Sequence, residues 1–194
     1  MLQGGDIMRA LLAIVAIVIA VAIYYIANQP AEDAPPPATA PEAAAEIQTP
    51  EPSIGLIDDE RIQAAESEPG NWLAFGRTYE EQRFSPLTGI NRENVGELGL
   101  AWFKDMGTNR ALEATPIVVD GIMFFTTTWS RVYAVHATTG ETLWTYDPQV
   151  PREWGRRACC DVVNRGVAVY NGRVYFGSLD GRLIALDAGT GEKV

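Results

Sequence analysis

The chain has 194 residues, and its 15 lysines and arginines stand against 25 aspartates and glutamates, which gives a formal net charge of −10. This acidic balance speaks against nucleic acid as a partner, because neutralising phosphates requires a basic protein face. The length allows roughly one domain, and two cysteines are too few for a disulfide framework.

The N-terminal part contains a candidate membrane segment. A short flank, residues 1–9, precedes the uncharged run 10–26, which is rich in Ile, Val and Ala. As a helix rising about 1.5 Å per residue, the run reaches the short end of what spans a bilayer. The residues that follow it do not match the small-residue cleavage site of a signal peptide. The sequence therefore favours an uncleaved transmembrane anchor over a cleaved signal.

Residues 27–66 are predicted to be a disordered linker. The stretch is rich in Pro and Ala, and residues 28–53 contain no Lys or Arg. Such a composition cannot bury enough apolar surface to fold, and consecutive prolines favour extended polyproline II structure. A short helix is expected within residues 54–68, where residues 58–60 supply an acidic first turn. An anchor followed by a tether places the folded part outside the cytoplasm, in an oxidising compartment.

Residues 67–194 are predicted to form an all-β meander, because short apolar runs alternate with Gly, Asp and Asn turns. Asp-Gly and Asn-Gly pairs, which two-residue hairpins prefer since both positions tolerate positive φ, occur at 120–121, 171–172 and 180–181. The predicted strands cover residues 98–103, 115–119, 123–127, 131–136, 142–146, 167–170, 173–177 and 182–187.

This meander repeats. Gly121 opens one unit and Gly172 opens the next. The tripeptide Thr-Gly-Glu occurs at 139–141 in the first unit and again at 190–192 in the second. A period of about 40–50 residues with about four short strands in each unit predicts a β-propeller. Trp144 has its equivalent one position past the last residue, so the chain is expected to be a fragment that stops within a blade.

The only two cysteines, Cys159 and Cys160, are adjacent and lie in the basic stretch 156–166. Three states are open from the residues alone. A disulfide between neighbours would be strained, because their α-carbons lie about 3.8 Å apart and disulfides usually span about 4.4–6.8 Å. Two reduced, buried thiols would act as small hydrophobes. A metal pair is the weakest alternative, because no C-x-x-C motif or histidine lies nearby.

Residues 134–144 and 185–191 resemble the tryptophan-docking motif A-x-D-x-x-T-G-x-x-x-W of the quinoprotein alcohol dehydrogenases, the methanol/ethanol dehydrogenase family that uses pyrroloquinoline quinone (PQQ). His136 stands where this motif has Asp. Because it is the only histidine, no Ser-His-Asp site or histidine-based metal site can be built. Four further segments resemble the family, two near its N-terminus and two in its cofactor site: residues 76–86, 90–95, 112–116 and 159–165.

The resemblance implies an eight-bladed propeller of which this chain holds the first one to two blades, and it implies three cofactor contacts. Cys159 and Cys160 would form a vicinal disulfide that stacks on the quinone. Glu113 would accept a hydrogen bond at the cofactor rim, and Arg165 would pair with a cofactor carboxylate. The catalytic aspartate and the ligands of the metal, calcium or a lanthanide, would lie beyond Val194, so neither is expected here.

The implied function is periplasmic oxidation of a primary alcohol to an aldehyde, with electrons passed to a cytochrome c or a membrane quinone. The membrane would be reached through residues 10–26, and the whole protein could carry haem c. One alternative is a non-enzymatic, membrane-tethered propeller that acts as an assembly scaffold. Such a scaffold should carry a lipidated cysteine near its N-terminus, and the sequence has none there. Another alternative is a quinoprotein that acts on sugars or larger alcohols.

Overall fold

The structure is a computed structural model that describes residue 54 and residues 56–194, which belong to one unit of the chain, 49–194. The predicted transmembrane segment 10–26 and most of the predicted linker lie outside the described residues. In the part that is described, no helix combines the length and apolar character needed to cross a membrane.

A short helix, α1 (Asp59–Gln63), begins the described part, as predicted. The carboxylate of Asp58 caps it by accepting the backbone N–H of Arg61 at 2.9 Å. Ile57 and Ala65, on either side of the helix, are buried in the hydrophobic core. The folded part therefore begins before residue 67, because apolar side chains inside the predicted linker 27–66 pack against the sheets.

Two antiparallel sheets follow. The first contains β1 (Ile117–Val119), β2 (Ile122–Thr126), β3 (Val132–His136) and β4 (Thr142–Tyr146), in that spatial order. The second contains β5 (Ala168–Tyr170), β6 (Arg173–Gly177) and β7 (Leu183–Asp187). Within the described part, four 3-10 helices connect these elements: Ala65–Ser67, Val95–Glu97, Thr128–Ser130 and Arg152–Arg156.

The strand register places one row of apolar side chains across each sheet. In the first sheet Ile117 lies opposite Phe124, Phe124 opposite Ala134, and Ala134 opposite Trp144. All four are buried. Because alternate residues of a strand face the same side, this row forms the core face of the sheet.

Seven of the predicted strands are confirmed to within one or two residues at each end. The predicted strand 98–103 is wrong: this segment forms no ladder with any described strand. Leu100 and Phe103 are about four-fifths exposed, at 80% and 79%. An apolar run marks a strand only where a partner strand lies beside it, and the sequence pattern does not show that partner.

Two of the three predicted hairpin turns are confirmed. Asp120 and Gly121 both have positive φ, and so do Asn171 and Gly172. The third prediction, at 180–181, is wrong, because residues 178–182 form a longer connection between β6 and β7. The backbone N–H of Ser178 donates to the carbonyl of Arg182 at 2.8 Å and closes this connection.

Trp144 joins the two sheets. Its indole Nε1 donates to the carbonyl oxygen of Ala188 at 3.0 Å, and its ring lies on Gly191, where an added Cβ would come within 2.6 Å of Trp144 Cδ2. The same arrangement occurs one repeat earlier. Trp102 donates to the carbonyl of Ala137 at 3.2 Å, and a Cβ at Gly140 would lie 2.5 Å from its ring. The resemblance to a docking motif is therefore confirmed at both repeats.

Candidate functional site

The cysteines lie in the long connection between β4 and β5, and polar contacts hold this connection in place. The side-chain amide of Asn164 donates to the hydroxyl of Ser130 at 3.1 Å and to the carbonyl of Gly177 at 2.7 Å. The backbone N–H of Trp129 donates to the carbonyl of Val162 at 2.9 Å. Ser130 is fully buried. These contacts tie the end of the connection to both sheets.

Cys159 and Cys160 are both free and exposed, and their Sγ atoms are 2.7 Å apart. Both cysteines lie on the surface and not in the buried setting that the reduced alternative assumed. The disulfide remains a prediction.

The pKa of the Cys160 thiol is raised, first by its hydrogen bond to Cys159 and by the charge on that neighbour. Two further charges reach the same sulfur. Arg165 lowers the pKa of Cys160, because a cation favours the thiolate, whereas Glu113 raises it. The structure therefore brings all four predicted site residues into one electrostatic neighbourhood.

Glu113 and Arg165 form an ion pair. Arg165 Nη2 lies 3.2 Å from Glu113 Oε2, and their side chains are 69% and 39% exposed. The backbone places them: Thr115 donates its N–H to the carbonyl of Arg165 at 3.1 Å and bridges to Gly166 in parallel. Gly166 has φ of +131°, and a Cβ there would lie 2.9 Å from the Thr115 carbonyl oxygen, so only glycine fits this approach.

Asp161 and Arg110 are site residues that the sequence analysis missed. The Asp161 carboxylate accepts hydrogen bonds from the backbone N–H of Val162, the side chain of Arg110 and the backbone of Ala111, which together hold its pKa below the usual range. Asp161 has φ of +68°. The sequence did contain a signal for Asp161: it directly follows the cysteines, and Asp is among the residues that tolerate positive φ.

The exposed side chains at this loop suit a flat, anionic molecule. Arg165 offers the planar fork that binds carboxylates, Glu113 offers an acceptor, and the adjacent sulfurs offer a polarisable surface. Across the described residues, no group of three or more His, Cys, Asp and Glu side chains is placed to hold a metal ion. Fold and loop together define a repeat β-protein that presents a surface suited to a planar anionic molecule at the connection between its sheets.

Comparisons with known proteins identify the family. Residues 72–194 match the PQQ family model, described as the β-propeller domain of glucose/ethanol/alcohol dehydrogenase, and the chain belongs to this family. The dehydrogenase subunit of alcohol dehydrogenase (quinone) from Komagataeibacter europaeus is 59% identical over 135 residues, 70% of this chain and 18% of the relative. A 1-butanol dehydrogenase (cytochrome c) from Thauera butanivorans is 56% identical over 64% of this chain and 18% of its own.

Among solved structures, the quinohemoprotein alcohol dehydrogenase ADHIIG from Pseudomonas putida HK5 superposes with a TM-score of 0.70 at 56% identity. It covers 72% of this chain and 20% of its own. The chain thus spans about a fifth of the length of the relatives that it matches. The predicted family and the propeller class are confirmed, whereas the roles of Glu113, Cys159, Cys160 and Arg165 remain predictions.

Proposed function

We propose that this chain is the N-terminal part of a periplasmic PQQ-dependent alcohol dehydrogenase that oxidises a primary alcohol to an aldehyde and passes the electrons to a cytochrome c. Family membership and the names of the relatives support the alcohol, the quinone cofactor and the acceptor. The observation that carries the proposal is the exposed ion pair of Glu113 and Arg165, whose charges both act on the exposed thiol of Cys160.

The proposed roles follow from the chemistry of these side chains. PQQ, when bound, accepts the electrons that the alcohol loses. Arg165 would hold a carboxylate of the cofactor through charge-assisted hydrogen bonds, and Glu113 would accept a hydrogen bond at its rim. Cys159 and Cys160, oxidised to a disulfide in the periplasm, would form a rigid platform that loses no side-chain entropy when a flat ring stacks on it.

Three further parts of the proposal concern regions outside the described residues. Calcium or a lanthanide, held by ligands beyond Val194, would act as a Lewis acid toward the quinone. The quinohemoprotein relatives support haem c in the whole protein. Residues 10–26 would attach the enzyme to the inner membrane, where a membrane quinone is the second candidate acceptor.

The test is PQQ affinity in the complete dehydrogenase that carries this chain. Losing a charged hydrogen bond removes about 1.5–3 kcal/mol, so Arg165→Ala should weaken PQQ binding about 10- to 150-fold. Arg173→Ala, on β6, is the matched control and should leave the affinity unchanged. Cys160→Ser should leave folding intact and lower cofactor retention. Wild-type PQQ content in both Arg165→Ala and Cys160→Ser would refute the site and favour the scaffold alternative.

The 194-residue chain by itself should bind PQQ weakly and show no dye-linked alcohol oxidation. Fewer than two blades cannot close a ring, so strand edges and blade faces stay open. Turnover by the purified chain would contradict this expectation.

A further inference from the structure

A cavity of about 300 Å³ lies near the start of the described chain and shares no residue with the cysteine loop. Its walls include Glu66, Arg77, Thr78, Gln82, Arg83 and Phe84. Arg77 is only 5% exposed, and its backbone has φ of +74°, a conformation that non-glycine residues seldom adopt. A buried guanidinium on an unusual backbone therefore forms one wall.

Arg77 is under-satisfied. Its Nη2 donates to the carbonyl of Ala65 at 3.2 Å, whereas its Nε is buried and has no hydrogen-bond partner among the residues described. Arg61 offers the contrast within the same region, because its guanidinium pairs with the carboxylates of Glu68 and Asp120. A buried cation without a carboxylate is strongly unfavourable, so a ligand that supplies one would be bound at this position.

We propose that this cavity is a binding site for a carboxylate group, held by the guanidinium of Arg77. A carboxylate matches the planar fork of arginine, and no carboxylate of the described residues forms an ion pair with this guanidinium. Thr78 and Gln82 add uncharged hydrogen-bond donors to the wall. Arg83, also in the wall, already has the carboxylate of Glu81 at 3.9 Å, so Arg77 is the cation left for a ligand. Glu66 in the same wall disfavours ligands of higher negative charge such as phosphate dianions, because like charges repel.

The carboxylate could come from a free small acid or from an aspartate or glutamate side chain of a polypeptide. Both present the same group to Arg77, but they differ in the bulk that the cavity must admit. Glu66 is the competitor from within the chain, since its own carboxylate lines the cavity. Glu66→Gln should therefore tighten carboxylate binding, and Arg77→Met should abolish it.

The experiment measures thermal unfolding of the full 194-residue chain in mild detergent. Sodium acetate replaces sodium chloride at constant ionic strength. A ligand that binds only the folded state raises the midpoint, and at saturation a rise of about 2–4 °C is expected. Arg77→Met, which replaces the buried charge with an apolar side chain of similar length, should lose this response. Arg92→Met, which removes an exposed arginine elsewhere, should keep it.

Acetate titration followed by NMR at a temperature below unfolding covers the case in which Arg77→Met does not fold. Glu66→Gln should then give a several-fold lower acetate Kd than the wild type. N-acetylglutamate amide, whose side chain mimics a polypeptide carboxylate, distinguishes the sources. A response to both ligands assigns the site to protein carboxylates, and a response to acetate alone assigns it to free acids. No response to either, or equal shifts in wild type and Arg77→Met, overturns the proposal whatever the PQQ measurements give.

Discussion

Docking of Trp144 on the turn after β7 predicts that Gly191→Ala is far more destabilising than the replacement of another glycine with the same backbone strain. Gly191 has φ of +75°, and an added Cβ would lie 2.6 Å from Trp144 Cδ2. Gly172 has φ of +70°, but a Cβ there meets no atom within 4 Å. The two substitutions therefore share the strain of positive φ and differ only in the contact with the indole.

The size of the difference follows from the contacts. An L-residue in the left-handed region costs about 1–2 kcal/mol, and this applies to both glycines. At Gly191 the new methyl group must also displace the indole, which costs about 1–3 kcal/mol in repacking. The displaced ring then loses its hydrogen bond to Ala188, worth about 0.5–1.5 kcal/mol. Gly191→Ala should cost about 2.5–6.5 kcal/mol, compared with about 1–2 kcal/mol for Gly172→Ala.

Urea unfolding followed by tryptophan fluorescence measures both variants. The preceding repeat supplies an internal replicate, because Gly140 lies under Trp102 and Gly121, with φ of +81°, has no atom within 4 Å of its Cβ position. Gly140→Ala should accordingly lose more free energy of unfolding than Gly121→Ala, by a similar margin. If both members of each pair lose equal stability, docking contributes nothing measurable and the account of how the sheets are joined is refuted.

Three further outcomes are expected. In the protein reduced with dithiothreitol, Glu113→Gln should lower the pKa of the Cys160 thiol, because that carboxylate is one of the groups that raise it. Iodoacetamide should then alkylate the reduced variant faster than the reduced wild type at mildly alkaline pH, and an unchanged rate contradicts the shared site. Arg61 lowers the pKa of Glu68, so their pairing stabilises the fold above about pH 4.3, and this stabilisation is lost as pH falls through the lowered pKa. Arg61→Met should therefore be about 1–3 kcal/mol less stable at pH 7, and its free energy of unfolding should fall less steeply with acid than that of the wild type. An equally steep fall counts against the pairing. His136→Asp should raise stability by about 0.5–1.5 kcal/mol by restoring the acceptor of the turn, as read from the thermal midpoint, and a lower midpoint is the contrary result.

The last of these expectations rests on a direct comparison of the two repeats. Asp187 Oδ1 accepts the backbone N–H groups of Gly189 and Thr190 at 3.0 and 2.9 Å and also the Thr190 hydroxyl. Among the described residues, the ring of His136, at the equivalent position, makes one hydrogen bond, between its Nδ1 and the Thr138 hydroxyl at 2.9 Å. The sequence pointed to this difference, because His136 departs from the motif. The structure shows what the departure costs, namely the hydrogen bonds that the Asp carboxylate makes within the turn.

Local patterns predicted the strands well wherever turn chemistry enclosed them. Asp120-Gly121 and Asn171-Gly172 have the positive φ values that their side chains tolerate, so the hairpins around them follow from sequence. Trp102 escaped notice because no Thr-Gly pair stands at the motif spacing before it, at residues 97–98, which leaves half of the docking motif absent. Its role depends on Ala137 and Gly140, 35 residues or more downstream, and only the fold shows that contact.

For the candidate site too, one part was predictable from the sequence and another part depends on the fold. Resemblance to the family named Glu113 and Arg165 one by one, and the structure adds that they pair with each other. That pairing depends on a backbone bridge between Thr115 and Gly166, which are far apart in sequence. No local pattern encodes such a bridge. It requires two sheets to be placed side by side, which is a property of the packed core.

The geometry of the site is therefore a consequence of how the sheets meet. Thr115 lies just before β1, the first strand of one sheet, and Gly166 lies just before β5, the first strand of the other. Their bridge fixes the two leading ends together, and Trp144 fixes the last strand of the first sheet to the final turn of the second. Two contacts at separate places determine the register between sheets more tightly than one. The spacing of Glu113 and Arg165 is thus set by structural contacts of the backbone, such as the hydrogen bond from the Thr115 N–H to the carbonyl of Arg165.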